Sequence, residues 1–393
     1  MADTTQALSR ILRGATNVVS EEELKKKLAK GKPLRIKLGV DPTAPDIHLG
    51  HTVVLSKLRV FQELGHTVVF IIGDFTAAIG DPSGRDSTRP PLSEDDINAH
   101  TKTYEDQVFK ILDPKKTEIR RNSEWLLPLF DKKSPDFLPR TLLRAHTVQQ
   151  LMEREDFTER KKAGQPISLL ELMYPLFQGY DSVAVKSDVE LGGNDQLFNL
   201  LMGRDMQKKA GQEPQVVLTM PLLEGLDGGR KMSKSYNNHI GVKDAPNDMF
   251  AKAMSVSDET MWKYYDLLTE ENVGELKKGH PMDAKKGLGA FLVKQYHGDA
   301  AASAARENFE NVFSKKEVPE DIEDFRMKKN EMDVVELLMD AGLAASKNEA
   351  RRLVEQGGVQ LDGKKIELGA KIQISSPTVL KVGKRRFKKL IPA

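Results

Sequence analysis

Two imidazoles and two ammonium groups are the side chains of this 393-residue sequence whose types and spacing point most directly to chemistry. His48 and His51 stand three apart in "HLGH", after a short strand and a loop and at the start of a helical pattern. That spacing sets both rings on one helix face. A helix start adds unpaired N–H groups and a positive dipole end, a setting suited to phosphate. Gly50 removes a side chain and lets a nucleotide approach the backbone. Zinc is disfavoured, because the metallopeptidase pattern spaces its histidines by four around a glutamate. Taken alone, the tetrapeptide reads more simply as a first turn with two surface histidines. "GGRKMSKS" (228–235) changes that balance: two glycines precede Lys231 and Lys234, with Ser233 and Ser235 alternating. Such a loop can close over a triphosphate and act as negative charge shifts during phosphoryl chemistry. A solvated basic loop is the alternative; both motifs together, in this order, favour the nucleotide.

The elements needed to position these groups alternate. Residues 34–40 and 66–75 are strand candidates, and 52–65 between them is a helical pattern stopped by Gly65. Strand, helix, strand within this span is a βαβ unit and implies a parallel sheet. Residues 93–112 read as a helix capped by Ser93, and 117–121 as a strand. "GGNDQ" reads as a glycine loop before a helix, and 214–223 as a further strand. The expectation is a doubly wound α/β, Rossmann-type domain over 1–243 with a helical insertion at about 128–165 and a lysine-bearing loop at 225–240. A helical domain over 244–329 follows, ending in a linker, "IEDFRMKKNEMD". A small α+β unit over 330–393 closes the chain, with a capping box at Ser346 and Glu349 and a hairpin at Asp362-Gly363.

Composition narrows the class. Hydrophobic residues are 39% and charged residues 30%, as in globular proteins. Cysteine is absent, which excludes disulfides, thiol catalysis and thiolate zinc sites and fits a reducing compartment. No apolar run reaches the roughly 20 residues of a membrane helix, and the N-terminus lacks a signal-peptide core. A cytoplasmic protein is the expectation. Net charge is only +2, yet residues 341–393 hold 12 Lys and Arg against 4 Asp and Glu. That bias marks either an anionic partner or a solubilising tail.

With both motifs in an alternating α/β frame, the sequence resembles the class I aminoacyl-tRNA synthetases. "HLGH" is similar to their first signature and "KMSKS" matches their second. Nearly the whole chain looks like the bacterial tyrosyl members, through "KLGVDPTAPDIHLGH", "GDFTAAIGDPSG", "YPLFQGYDS", "GGNDQ" and the basic C-terminal module. That module resembles a small RNA-binding fold of a ribosomal small-subunit protein. The resemblance implies that ATP and L-tyrosine give tyrosyl-adenylate and pyrophosphate, and that the tyrosyl group passes to tRNA(Tyr). It also implies magnesium accompanying ATP without a dedicated protein site, a homodimer, and tRNA/anticodon binding by the helical segment.

Residue by residue, the resemblance places His48, His51 and Thr43 at ATP and its transition state. Lys231 and Lys234 would clamp the departing pyrophosphate. Asp41, Gly50, Met232, Ser233 and Ser235 would line the nucleotide, Asp195 would hold the ribose, and Gly192 and Gly193 would let adenosine pass. Tyr174, Gln178 and Asp181 fall at i, i+4 and i+7, on one helix face. The resemblance sets Tyr174, Gln178 and Asp81 at the substrate ammonium, Asp181 at the phenol hydroxyl and Gln196 at the carboxylate. Lys37 stands where many members carry a tyrosine that also touches the phenol. It either reaches the pocket in its own way or leaves recognition to Asp181. Lys347, Arg351, Arg352, Lys384, Arg385, Arg386, Lys388 and Lys389 are candidates for tRNA phosphates. The rival readings are the same chemistry with tryptophan, a non-catalytic RNA-binding protein on a synthetase scaffold, and another nucleotidyltransferase. Asp181, the paired motifs and the RNA module respectively argue against them.

Overall fold

The structure, a computed structural model of the chain, describes residues 4–42, 46–82, 93–313, 322–383 and 386–392. They fall into two compact units, Met1–Arg306 and Glu307–Ala393. The first opens with α1 (Thr4–Leu12), β1 (Asn17–Val19) and α2 (Glu21–Ala29). The βαβ crossover is β2 (Arg35–Val40), α3 (Leu49–Glu63) and β3 (Thr67–Ile72). Next come α4 (Asp74–Ile79), α5 (Glu94–Val108) and β4 (Thr117–Arg121). The Ser93 hydroxyl caps α5 by accepting the Asp96 N–H at 3.1 Å. The short helix α6 (Ser123–Leu126) precedes the expected insertion, and α7 (Val148–Leu151) and α8 (Glu155–Lys162) lie within it. Its Leu138, Leu142 and Leu151 share a core with Leu176 and Phe177 of α9 (Leu169–Val185). β5 (Val189–Gly193), α10 (Leu197–Lys209) and β6 (Val216–Met220) complete the sheet.

Strand order is β1-β6-β5-β2-β3-β4. All pairings are parallel except the β1–β6 edge. The chain winds outward from β2 through β3 to β4, then returns to the other side of β2 with β5 and β6. Winding therefore reverses between β2 and β5, and a crevice opens beyond their carboxyl ends. Two features differ from the sequence reading. "VELGG" is a strand that contains both glycines of the expected loop, its Val189 and Leu191 buried. The edge strand β1 runs antiparallel, and at three residues it is too short to show alternation.

Helices α11 (Pro246–Ser255), α12 (Asp258–Leu268), α13 (Val273–Leu276), α14 (Pro281–His297) and α15 (Asp299–Phe313) follow. Pro246 and Pro281 open α11 and α14, where a missing N–H costs nothing.

The second unit contains β7 (Asp324–Arg326), β8 (Glu331–Asp333), α16 (Val334–Asp340) and α17 (Lys347–Glu355). Five short strands follow: β9 (Val359–Leu361), β10 (Lys364–Lys365), β11 (Lys371–Gln373), β12 (Thr378–Val382) and β13 (Arg386–Ile391). β7 adds to the β10-β9-β12-β13 sheet and β8 pairs with β11. The stretch read as a linker is therefore part of this unit: Met327 and Met332 are buried in its core, hidden in the sequence by flanking charges. Asp362 and Gly363, at φ 45° and 79°, make the two-residue hairpin turn. Ser346 accepts the Glu349 N–H, but Glu349 reaches the Ala345 N–H at 2.9 Å, so the expected box closes one residue early.

Candidate active site

A cavity of about 370 Å³ occupies the crevice at the β2/β5 switch point. Its open end is built around the first turn of α3. His48 is the N-cap, and its Nδ1 accepts the Gly50 N–H at 3.1 Å. His51 Nδ1 accepts the His48 N–H at 3.3 Å. Two imidazoles thus cap the helix reciprocally, with ring centroids 4.0 Å apart. Because each Nδ1 is an acceptor, each neutral ring carries its proton on Nε2 and presents it as a donor. Burial, then His51, His239 and Lys234, lowers the His48 pKa to about 2. Burial also lowers that of His51, to about 4. A Cβ at residue 50 would lie 2.9 Å from the His48 ring, so glycine is required there by the imidazole itself.

The lysine loop is tied to this turn through the backbone. Leu49 N–H bonds Ile240 O at 3.0 Å, and Val242 N–H bonds Ile47 O at 3.0 Å. Met232 N–H bonds Leu223 O at 2.7 Å. Buried Asn238 braces the loop, accepting the Ser233 N–H at 2.8 Å and donating to Lys231 O at 3.2 Å and Asp227 Oδ1 at 3.1 Å. Lys231, Met232 and Ser233 line the cavity. Lys234 and Ser235 do not. The Lys234 ammonium lies 3.3 Å from Asp46 Oδ2, beside the imidazoles, because Asp46 is the carboxylate within its reach. Ser235 is exposed at the turn beyond it. Thr43 lies outside the described residues.

The closed end is anionic. Asp41, Asp81, Asp181, Glu190 and Asp195 all line it, with Tyr174, Gln178, Gln196, Gly192 and Gly193. Tyr174 donates its hydroxyl to Asp41 Oδ2 at 2.8 Å, and Thr76 donates to Oδ1 at 2.7 Å. Gln196 donates to Asp81 Oδ2 at 2.8 Å, and Asn199 donates to both Gln178 and Gln196. Asp181, 2% exposed, accepts the Trp125 indole N–H at 2.8 Å. Burial, opposed by these donors, raises the pKa of Asp41 and of Asp181 to about 7. Burial and the charge of Asp81 also raise that of Asp195, against the pull of Lys231. A Cβ at Gly193 would sit 2.6 Å from Asp195 Oδ1, so that glycine makes room for the carboxylate.

Lys37 is the residue the structure moves. Rather than lining the cavity, it lies behind the wall, fully buried, with its ammonium 2.6 Å from Glu190 Oε1. The two residues are register partners on adjacent parallel strands, so their side chains share one face. Sequence reading passed over Glu190, Trp125, Asn238 and Asp46. Only Asp46 had a signal, its position beside the histidine motif.

In the second unit, Lys347, Arg351 and Arg352 are exposed on α17, whose Ala350 and Val354 face the core. Exposed Lys389 lies on β13 with Lys388, which is half-buried and pairs with Glu323. Arg386 is exposed and donates to Leu343 O at 2.6 Å. Lys384 and Arg385 lie outside the described residues.

The family model "tRNA synthetases class I (W and Y)" matches residues 29–314, and a "Tyrosine--tRNA ligase SYY-like C-terminal domain" model matches 314–388. The chain belongs to the class I tRNA synthetases of the tryptophan and tyrosine group. Within that group it is 52% identical over 400 residues to a tyrosine–tRNA ligase of Oleidesulfovibrio alaskensis, covering 99% of each chain. It is 50% identical over 391 residues to the tyrosine–tRNA ligase of Aquifex aeolicus, covering 98% of each. Among solved structures, a mitochondrial tyrosyl-tRNA synthetase from Aspergillus nidulans superposes with TM-score 0.66 at 20% identity, over 80% of this chain and 95% of that one. A tyrosyl-tRNA synthetase from Archaeoglobus fulgidus complexed with L-tyrosine gives 0.62 at 23% identity, over 77% and 99%. These two carry the fold. No helix among the described residues is long and apolar enough to cross a membrane.

Proposed function

We propose that the chain activates L-tyrosine with ATP and transfers it to tRNA(Tyr). The observation that carries this reading is the polarity of the cavity. Its open end offers N–H donors, Lys231 and a helix start for phosphates. Its closed end offers carboxylates for an ammonium and a phenol hydroxyl. A zwitterionic amino acid and a nucleotide fit end to end only in one direction.

The tyrosine carboxylate attacks the α-phosphorus, the bond to the β-phosphate oxygen breaks, and pyrophosphate leaves. The nucleophile is already ionised, so positioning and charge stabilisation do the catalysis. His48 and His51 donate Nε2–H to phosphate oxygens. Lys231 and Lys234 clamp pyrophosphate, Lys234 by exchanging Asp46 for it. Asp81, Tyr174 and Gln178 take the ammonium, Gln196 the carboxylate, Asp195 the ribose and Asp181 the phenol hydroxyl; Asp41, expected at the nucleotide, is hydrogen-bonded to Tyr174 and so lies beside the ammonium site instead. A hydroxyl of the tRNA's terminal adenosine then attacks the acyl carbonyl and AMP leaves. Magnesium arrives with ATP.

We further assign tRNA binding to the helices after residue 244 and to the cationic face of α17, and place the protein in the cytoplasm, where charged tRNA is used. A homodimer is part of the same reading, and the exposed apolar side chains of the 127–170 segment, among them Leu127, Phe130, Val148 and Leu169, are candidates for its interface. The test is tyrosine-dependent exchange of pyrophosphate into ATP. Exchange with tyrosine and little with phenylalanine is expected; no exchange by folded protein overturns the reading.

A further inference from the structure

The buried pair behind the cavity wall is built with unusual completeness. Lys37 and Glu190 have side chains 0% and 1% exposed. The ammonium donates to Glu190 Oε1 at 2.6 Å, Ser182 Oγ at 3.0 Å and Gln178 O at 3.2 Å, which uses all three of its protons. Glu190 Oε2 accepts from Ser182 at 2.9 Å and from Gln215 Nε2. Burying two charges costs several kcal/mol per ion before their attraction offsets it. Apolar residues at these two sheet positions would pack without that cost.

What the pair faces is Asp181. Gln178 and Ser182 flank Asp181 on α9, so the ammonium is held against the turn that carries this carboxyl. The groups around Asp181 are Lys37 from β2, Glu190 from β5, and the neutral donors Trp125 and Asn122 from the β4–α6 segment. Asp41 beyond β2 and Tyr174 on α9 feel its charge. Among the described residues that act on Asp181, Lys37 is the cation. Neither Trp125 nor Asn122 can oppose protonation as a full charge does.

We infer that Lys37 is a positioning residue for specificity: its buried ammonium, held by Glu190, keeps Asp181 a carboxylate, the form that accepts a phenol hydroxyl. This rests on the reading of the cavity as a tyrosine site. A neutral carboxylic acid there donates as well as accepts, whereas a phenyl ring in place of the phenol takes one charge-assisted hydrogen bond away from the ionised acceptor. Lys37 lowers and Glu190 raises the Asp181 pKa, with Lys37 the stronger influence.

The test is the pH profile of kcat/KM for tyrosine in pyrophosphate exchange, which reports groups of the free enzyme. Lys37→Met moves the acid limb up by about one pH unit or more and narrows the tyrosine-to-phenylalanine ratio by about tenfold at pH 7. Glu190→Gln moves the limb down. The double variant, which leaves no unpaired buried charge, falls between Lys37→Met and wild type. Should Lys37→Met fail to fold, Glu190→Gln and the double variant still carry the signs. Limbs coinciding with wild type in folded variants, whatever the loss in rate, overturn the inference and make the pair purely structural. Absence of tyrosine exchange in the wild type is a different failure, that of the tyrosine reading itself.

Discussion

The two ends of the cavity are assembled by opposite strategies. At the open end, a single helix turn does most of the work: His48, Gly50 and His51 belong to it, and the lysine loop is pinned to that turn by backbone hydrogen bonds. Its cations sit near solvent, and its imidazoles are neutral. At the closed end, Asp41, Trp125, Asp181 and Glu190 come from four separate segments and meet only because the sheet switches direction between β2 and β5. There the lining charges are mostly carboxylates, of which Asp181 and Glu190 are buried. The open end is thus built from two motifs that are each local in sequence, whereas the closed end is assembled residue by residue from distant segments and is strained electrostatically. The two ends should fail in different ways when perturbed.

The largest expected effect is at the open end. Lys234→Ala removes a charge that acts chiefly as pyrophosphate departs. The exchange rate should fall by about 10²–10³-fold, the range for losing one transition-state donor, while KM for tyrosine stays within about twofold. Steady-state exchange at saturating ATP measures both. A tyrosine affinity loss matching the rate loss would show that the ends are not independent.

At the closed end, Asp181→Asn should cost about 10–10²-fold in kcat/KM for tyrosine and much less for phenylalanine, since a charge-assisted hydrogen bond is lost. Its stability effect has the opposite sign. The carboxyl titrates near 3.8 when unfolded and at about 7 in the fold, so the native state binds more protons between those values. Stability from this group is greatest below about pH 4 and falls as pH rises through 7. Removing the carboxyl should therefore stabilise the fold at pH 8 by an amount on the order of 1 kcal/mol or more, seen as a higher Tm, and the gain should shrink toward pH 4. The amide can still accept from Trp125. A Tm gain independent of pH would mean that charge is not what strains this end. The same titration predicts loss of kcat/KM for tyrosine below about pH 7, where His48 and His51, at about 2 and about 4, are still neutral.

This asymmetry also governs what the sequence disclosed. The βαβ frame, α5 with its Ser93 cap and the Asp362-Gly363 turn were legible because each rests on local periodicity or turn chemistry. Both motifs of the open end were legible for the same reason. The i, i+4, i+7 spacing of Tyr174, Gln178 and Asp181 showed a face, but not what it meets. β5 was missed because its glycines looked like a loop, and with it Glu190 and the destination of Lys37. A lysine in a buried strand has no local explanation; its partner lies 153 positions away and adjacent only in the folded sheet. The β7–β8 stretch misled similarly, its two buried methionines outnumbered by charges.

The smallest effect probes the brace rather than the chemistry. The Asn238 side chain makes three hydrogen bonds within the loop. In Asn238→Ala, the Ser233 N–H and the Lys231 carbonyl lose a buried partner, each bond being worth about 1 kcal/mol. Part of that loss is recovered by water at the exposed loop, so kcat should fall only about three- to tenfold, with a rise in KM for ATP and none for tyrosine. Isothermal titration with tyrosine alone should be unchanged. Combined with Asp181→Asn, the two losses should add to within about 0.5 kcal/mol, as distant sites without shared partners do. A coupling energy well above that would join the two ends through the cavity wall, and the Lys231–Asp195 attraction across the cavity is where such coupling would run.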